Sequence, residues 1–168
     1  MPLYDIEHHT PISPSQQSAV AIALTNLHTK TFHTPRFFIN VRFTPLAENK
    51  ITTFRGGERA TYNRAILRTR ASGSRSVELY NTHCHNVVRI WEEVMGLETQ
   101  EQKLGENGLR TVWVLGALTT AVELGVERPM VGEEGEWLQK NRERFEDLAK
   151  AGDKDMKALV SEEFGIAI

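Results

Sequence analysis

Apolar and polar residues alternate over Leu3 to His8, with Tyr4 and Ile6 on one face, which is the two-residue period of a short strand. The stretch ISPSQQ then carries the signals of a helix start: Ser13 as N-cap, Pro14 at the first helical position and Gln16 completing a capping box. Behind it Val20, Ala23, Leu24, Leu27 and Thr31 recur at helical spacing and define a buried face. After Thr34-Pro35 the segment RFFINVRF alternates through Phe37, Ile39, Val41 and Phe43, and it reads as a half-buried strand. The second half repeats this order. TYNRAILRTR reads as a strand and ASGSRS as a turn. Tyr80, Cys84, Val87, Trp91 and Val94 then mark a long helix that Gly96 ends, and RTVWVLG follows as another strand.

Both halves are therefore β-α-β, the crossover unit that sets two strands parallel. The pattern predicts an α+β fold: two β-α-β units, over 2–44 and 60–116, forming one four-stranded mixed sheet with two helices on one face. A helical extension over 133–168 completes a single domain, with helices expected over Glu136 to Ala149 and Asp155 to Glu163. Two helices cannot cover all of Phe37, Phe38, Phe43 and Trp113. A bare apolar face implies an interface, and closed cyclic self-association is the usual remedy.

Composition narrows the class. A chain of 168 residues, 40% hydrophobic, can bury one real core. It has no apolar run of about 18 residues and no basic-then-apolar leader, so neither a membrane span nor a secretory signal is expected. Cys84 is the single cysteine, which fits a reducing, cytoplasmic setting. The net charge of −2 hides an asymmetry: Arg36 to Arg75 holds nine Lys or Arg against only Glu48 and Glu58. Such a block reads as an anion or nucleic-acid footprint, or as arginines on the outer face of a solvated strand pair. His8-His9 and the His83/His85 pair do not make a metal site, because i, i+2 positions on a helix splay apart and no second ligand cluster exists. Gly56-Gly57 lacks the lysine of a phosphate loop. No metal and no cofactor is expected.

The chemistry begins at Pro2. Proline suits the first residue of a strand, where no ladder bond is lost. Removal of Met1 would also leave Pro2 with a rigid, basic secondary amine. Arg75 sits at or just before a helix start, where the helix dipole already places positive charge. A guanidinium beside free helix N–H groups makes a carboxylate cradle. Arg70, five residues earlier across a Gly turn, can grip the same anion. Solvated turn arginines are the plainer reading of this pair. Like charge from the arginines, and burial, would lower the pKa of the proline amine toward neutrality. His28, at the edge of the first helix's stripe, reads either as a helix-end residue complementing the dipole or as a substrate or water contact. Tyr4, two residues beyond Pro2 on a strand, can point the same way as Pro2.

MPLY at the start, ALTNLH, TRASGSRSVEL, a WV strand, AVELG and GEEGEW together resemble the tautomerase superfamily, specifically its cis-3-chloroacrylic acid dehalogenase-like branch, from Pro2 to about Trp137. The resemblance implies paired β-α-β units assembled as a homotrimer, a tautomerase and macrophage-migration-inhibitory-factor-like fold, with the amino-terminal proline as catalytic acid or base. It assigns that proline to Pro2, the helix-end histidine to His28, the paired arginines to Arg70 and Arg75, and the water-orienting glutamate to Glu123. Outside the resemblance Glu123 is an ordinary surface glutamate. The dehalogenase tyrosine after the WV pair is replaced by Leu115, and the glycine turn is two residues longer here. The function expected is keto–enol tautomerisation of a small carboxylate substrate, with hydration or weak hydrolytic dehalogenation as side activities. Two other classes stand against it: an anion- or nucleic-acid-binding module built on Arg36 to Arg75, and a catalytically idle trimer.

Overall fold

The structure is a computed structural model that describes residues 2–55, 57–70, 75–116, 122–123, 126–127, 129 and 131–167. Strand β1 (Leu3–His8) leads to helix α1 (Pro14–Phe32), a 3₁₀ turn (Arg36–Phe38) and β2 (Asn40–Pro45). A small hairpin of β3 (Thr53–Arg55) and β4 (Glu58–Ala60) precedes β5 (Asn63–Arg68), α2 (Val77–Met95), α3 (Gln100–Leu104) and β6 (Leu109–Leu115). A two-residue pair, β7 (Val122–Glu123) and β8 (Val126–Glu127), comes before α4 (Glu134–Lys140), α5 (Arg142–Lys150) and α6 (Lys154–Phe164). No helix among the described residues is long and apolar enough to cross a membrane.

The main sheet runs in the order β2-β1-β5-β6. β1 is parallel to β2, β5 is parallel to β6, and β1 meets β5 antiparallel. This is the predicted pair of β-α-β units joined through their first strands. Local sequence sets the helices. Ser13 accepts from the Gln16 N–H at 3.3 Å while its own N–H donates to Gln16 Oε1 at 2.9 Å, so the capping box satisfies two otherwise orphaned donors. Gly96 ends α2 in the left-handed conformation at φ 65°.

The sheet alternates cleanly. Tyr4, Ile6, Ala65 and Leu67 meet Val20 and Leu24 of α1 and Val87 and Trp91 of α2 in one core. The opposite face differs from the expected bare apolar surface. It carries ion pairs across neighbouring strands, Asp5 with Arg42 and Glu7 with Arg64, and the Arg64 guanidinium stacks over Trp113 at 5.3 Å. Of the aromatic residues expected there, Trp113 alone is exposed, at 44%, beside Leu115 on the same strand.

Phe43 packs on the helix-side core. The segment RFFINVRF is not one strand: the 3₁₀ turn occupies Arg36–Phe38 and pairing begins at Asn40. Pro35 fixes the backbone just ahead of this turn, which lifts Phe37 and Phe38 away from the sheet. They are covered instead by the C-terminal helices. Phe38 is 2% exposed, its ring 5.3 Å from Trp137, which in turn lies 5.1 Å from Phe145. Leu138, Phe145, Ala149, Met156, Leu159 and Val160 form a second small core there. The expected helix over Glu136 to Ala149 is two helices, broken at Asn141.

Candidate active site

Strand direction gathers the candidate residues at one end of the sheet. Leu3 pairs with Arg68 and with Asn40, and Arg68 pairs with Leu115. Pro2 therefore lies beside the exits of β5 and β6 and the entry of β2, and its carbonyl accepts from the Asn40 N–H at 3.0 Å. Thr69 donates to the Leu115 carbonyl at 2.9 Å, which carries the sheet one residue further before Arg70. The C-terminal turn of α1 and the N-terminus of α2 flank the same end. Pro2 itself is buried.

Beneath this end lies a polar cluster enclosed in the core. The Tyr4 hydroxyl is 2.7 Å from His28 Nδ1 and 2.6 Å from His83 Nε2. Tyr4 and His83 are 0% exposed and His28 is 1% exposed. A single hydroxyl proton serves two ring nitrogens, so Tyr4 donates to one imidazole and accepts from the other. His83 Nδ1 reaches Thr31 Oγ1 at 3.4 Å, while His28 Nε2 is enclosed with no hydrogen-bond partner among the described residues. Burial, then His83, then Arg75 push His28 down to about 3, and burial with Arg75 pushes His83 down to about 4. Both imidazoles are neutral at pH 7. Burial and Cys84 raise the Tyr4 phenol, so it stays protonated.

His28 is thus fully rather than partly buried, and its neutral ring is not a charged complement to the dipole. It continues the buried stripe Val20, Leu24, His28, Phe32. Tyr4 turns its hydroxyl into the core, where both of its bonds are committed. His83 was not expected here. Its signal was spacing, since it lies four residues before Val87 and eight before Trp91, and these three are the buried residues of α2. Cys84 is only partly buried, and burial raises its thiol pKa.

Arg75 sits above this cluster. It immediately precedes the α2 N-cap Ser76, whose hydroxyl accepts from the Leu79 N–H. Its guanidinium lies 4.7 Å over the Phe32 ring, and that ring is 4.7 Å from both His28 and His83. Among the described residues Arg75 forms no ion pair. It borders two cavities. One, of about 470 Å³, is walled by Thr69, Tyr80, Cys84, Val112 and Val114. The other, of about 510 Å³, is walled by Thr31, Phe32, Gly132 and Glu134. Both fall in the range of small-molecule sites.

Arg70 is not open to solvent as a turn arginine would be. Its Nη2 donates to Glu134 Oε1 at 3.2 Å, with both side chains largely buried. Burial lowers its pKa despite Glu134, and the charge of Arg75 acts in the same direction as burial, which places the two guanidiniums within electrostatic reach. Sequence reasoning missed Glu134, although GEEGEW had drawn notice as a motif. The backbone of Glu123 lies in β7; its side chain is outside the described residues, as are 71–74 of the glycine turn. Among the described residues no group of three or more His, Cys, Asp or Glu gathers to hold a metal ion. The basic block is also less positive than its count implied, because Arg36, Arg42, Arg64 and Arg70 are each paired with a carboxylate.

Two β-α-β units on one mixed sheet, with a buried proline and two arginines at one end, make this an α+β protein, and the family match places it in the tautomerase superfamily. Residues 1–142 match the family described as putative oxalocrotonate tautomerase enzyme, and the chain belongs to that family. Solved structures share its fold. N1, a member of the cis-3-chloroacrylic acid dehalogenase family, aligns with a TM-score of 0.59 at 21% identity, covering 86% of this chain and 99% of that one. A probable enzyme from the thermophilic fungus Aspergillus fumigatus aligns with a TM-score of 0.54 at 21% identity, covering 84% and 94%. The Q0 fused 4-OT wild-type symmetric trimer aligns with a TM-score of 0.50 at 14% identity, covering 74% and 94%. No curated protein matches the chain.

Proposed function

We propose that this chain is an enzyme that interconverts the enol and keto forms of small 2-oxo carboxylates, with Pro2 as acid–base group. One observation carries the reading: Pro2, the C-terminal turn of α1, Arg70 and Arg75 converge on one end of the sheet, where Arg75 lines two cavities of small-molecule size. Arg75, with Arg70, holds the substrate carboxylate through charge-assisted hydrogen bonds. In the ketonising direction the protonated Pro2 amine delivers its proton to the β-carbon of the enol. The enol hydroxyl loses its proton to solvent, the carbonyl forms, and the amine is reprotonated from water. This step requires that Met1 be removed.

His28, held by Tyr4, places a neutral imidazole beneath this end of the sheet, and Tyr4 acts as a positioning residue rather than a substrate contact. Glu123 is assigned the orientation of a water when the substrate is an unsaturated acid. Hydration and dehalogenation stay weak on this reading, because Leu115 can neither donate nor accept a hydrogen bond. The chain acts as a homotrimer in the cytoplasm without a cofactor, with Trp113 and Leu115 among the surfaces covered by assembly. Resemblance to a symmetric 4-OT trimer supports that assembly. Neither nucleic acid nor membrane is a partner here, since much of the basic block is already neutralised.

The test is ketonisation of phenylenolpyruvate, followed by loss of the enol absorbance. Removing one of two charged donors to a bound carboxylate costs about 1.5–3 kcal/mol, so Arg75→Ala should lower kcat/KM by at least about tenfold. A wild-type rate in Arg75→Ala, or no turnover of any enolic acid by the wild type, contradicts the assignment.

A further inference from the structure

Glu134 places a carboxylate on Arg70, one of the two cations assigned above to the substrate. One oxygen accepts from Arg70 Nη2 at 3.2 Å, with the two side chains only 13% and 12% exposed. The other oxygen accepts from the Gly132 N–H at 2.7 Å. The group is therefore held from two sides. It opens α4, which is anchored below by Leu138 in the C-terminal core and by the Trp137 contact to Phe38. Arg75 and Glu134 face the same cavity of about 510 Å³.

Among the described residues that line this cavity, Arg75 supplies the guanidinium and Glu134 the carboxylate. A first carboxylate entering it pairs with Arg75. A second meets Glu134, a like charge. Specificity often resides in such a repulsive element rather than in a further attraction.

We propose that Glu134 is a specificity-determining residue that sets the cavity it shares with Arg75 for monocarboxylates and excludes dicarboxylates. The inference rests on the carboxylate-cradle reading of the proposed function and names the substrate class of that same site. It also gives the C-terminal extension a function: the helices that cover Phe37 and Phe38 deliver this carboxylate.

Calorimetric titration at fixed ionic strength reads it, with crotonate as a monoanion and fumarate as a dianion of similar size. Wild-type protein is expected to bind crotonate the more tightly. Glu134→Gln keeps the shape and removes the charge. One like-charge contact at about 4 Å in a water-like dielectric corresponds to roughly fivefold in affinity. Fumarate affinity is therefore expected to rise roughly fivefold more than crotonate affinity. Glu134→Asp retains the charge and is expected to retain the wild-type preference.

Equal gains for the two acids overturn the proposal, because Glu134 would then be a plain competitor for Arg70. No gain for either also overturns it and makes the ion pair structural. Should Glu134→Gln fail to fold, Glu134→Ser, which also suits a helix start, carries the same readout. Arg75→Ala separates the two levels of the argument. Binding that Arg75→Ala abolishes upholds the cradle whatever the ratio of the two acids. Binding of neither acid by the wild type overturns the cradle, and this inference with it.

Discussion

Tyr4→Phe removes one oxygen atom and no carbon, yet it is expected to be among the more destabilising single changes in the sheet. The hydroxyl joins His28 Nδ1 at 2.7 Å and His83 Nε2 at 2.6 Å in a fully enclosed site. Its loss leaves one buried ring N–H and one buried ring lone pair without partners. The imidazoles cannot repair this between themselves, because their centroids are 5.6 Å apart and the rings are perpendicular. An unsatisfied buried polar group costs about 1–3 kcal/mol. Two such groups, less the desolvation that the hydroxyl no longer undergoes, give about 2–4 kcal/mol. Urea unfolding at pH 7.5, followed by tryptophan emission, measures it. A loss below about 0.5 kcal/mol would mean that the hydroxyl is not shared between the two rings, and the description of the cluster would be wrong.

Acid should destabilise the protein through the same histidines. Their folded pKa values, about 3 and about 4, lie below the ordinary value of 6.5, so the unfolded chain binds more protons between these limits. Stability is then full above about pH 6.5 and falls as pH drops toward 4. At pH 5 the loss is about 2 kcal/mol for each histidine, and a flat urea midpoint from pH 7 to 5 contradicts it. Phe38→Ala should cost about 3–5 kcal/mol and increase proteolysis within 133–167, the part that packs on Phe38; cleavage spread evenly along the chain would contradict that docking. Haloacrylate hydrolysis should run about 10²–10³ below what a positioned hydroxyl would allow. Leu115→Tyr should raise it, and no response means that position is irrelevant.

Much of the fold was legible because the local signals agreed with one another. Leu3–His8 alternates, Ser13-Pro14-Gln16 caps, and Gly96 stops a helix, each by chemistry confined to a few neighbouring residues. RFFINVRF misled because Phe37 continues the alternation of Ile39, Val41 and Phe43 by chance, while the burial of Phe37 and Phe38 comes from helices about a hundred residues later. The bare face misled for a related reason. Asp5 with Arg42 and Glu7 with Arg64 become pairs only once strand register is known. In the site, Arg70 and Arg75 were visible as a pair flanking a turn, but the carboxylate that neutralises Arg70 was not. His83 was hidden because its i, i+2 partner His85 suggested a failed metal motif, whereas its true relation is four residues onward to Val87. Asn63 shows the same limit. It is wholly buried, accepts from the His9 and Thr10 N–H groups and donates toward Thr10, Glu106 and Gly108, none of which its sequence neighbourhood announces.

The central claim is that Pro2 carries a free amine that meets the substrate beside Arg75. An acetylenic 2-oxo acid tests it most directly, because its carboxylate can seat on the arginine while its alkyne captures a nucleophilic amine. After incubation at pH 7.5, intact-mass analysis and peptide mapping should show a chain without Met1 carrying one adduct, on Pro2. The adduct should form slowly in Arg75→Ala, and its appearance should parallel loss of phenylenolpyruvate ketonisation. A chain that retains Met1 and still turns over the enol, or an adduct on Cys84 or a lysine with Pro2 unmodified, would contradict the account.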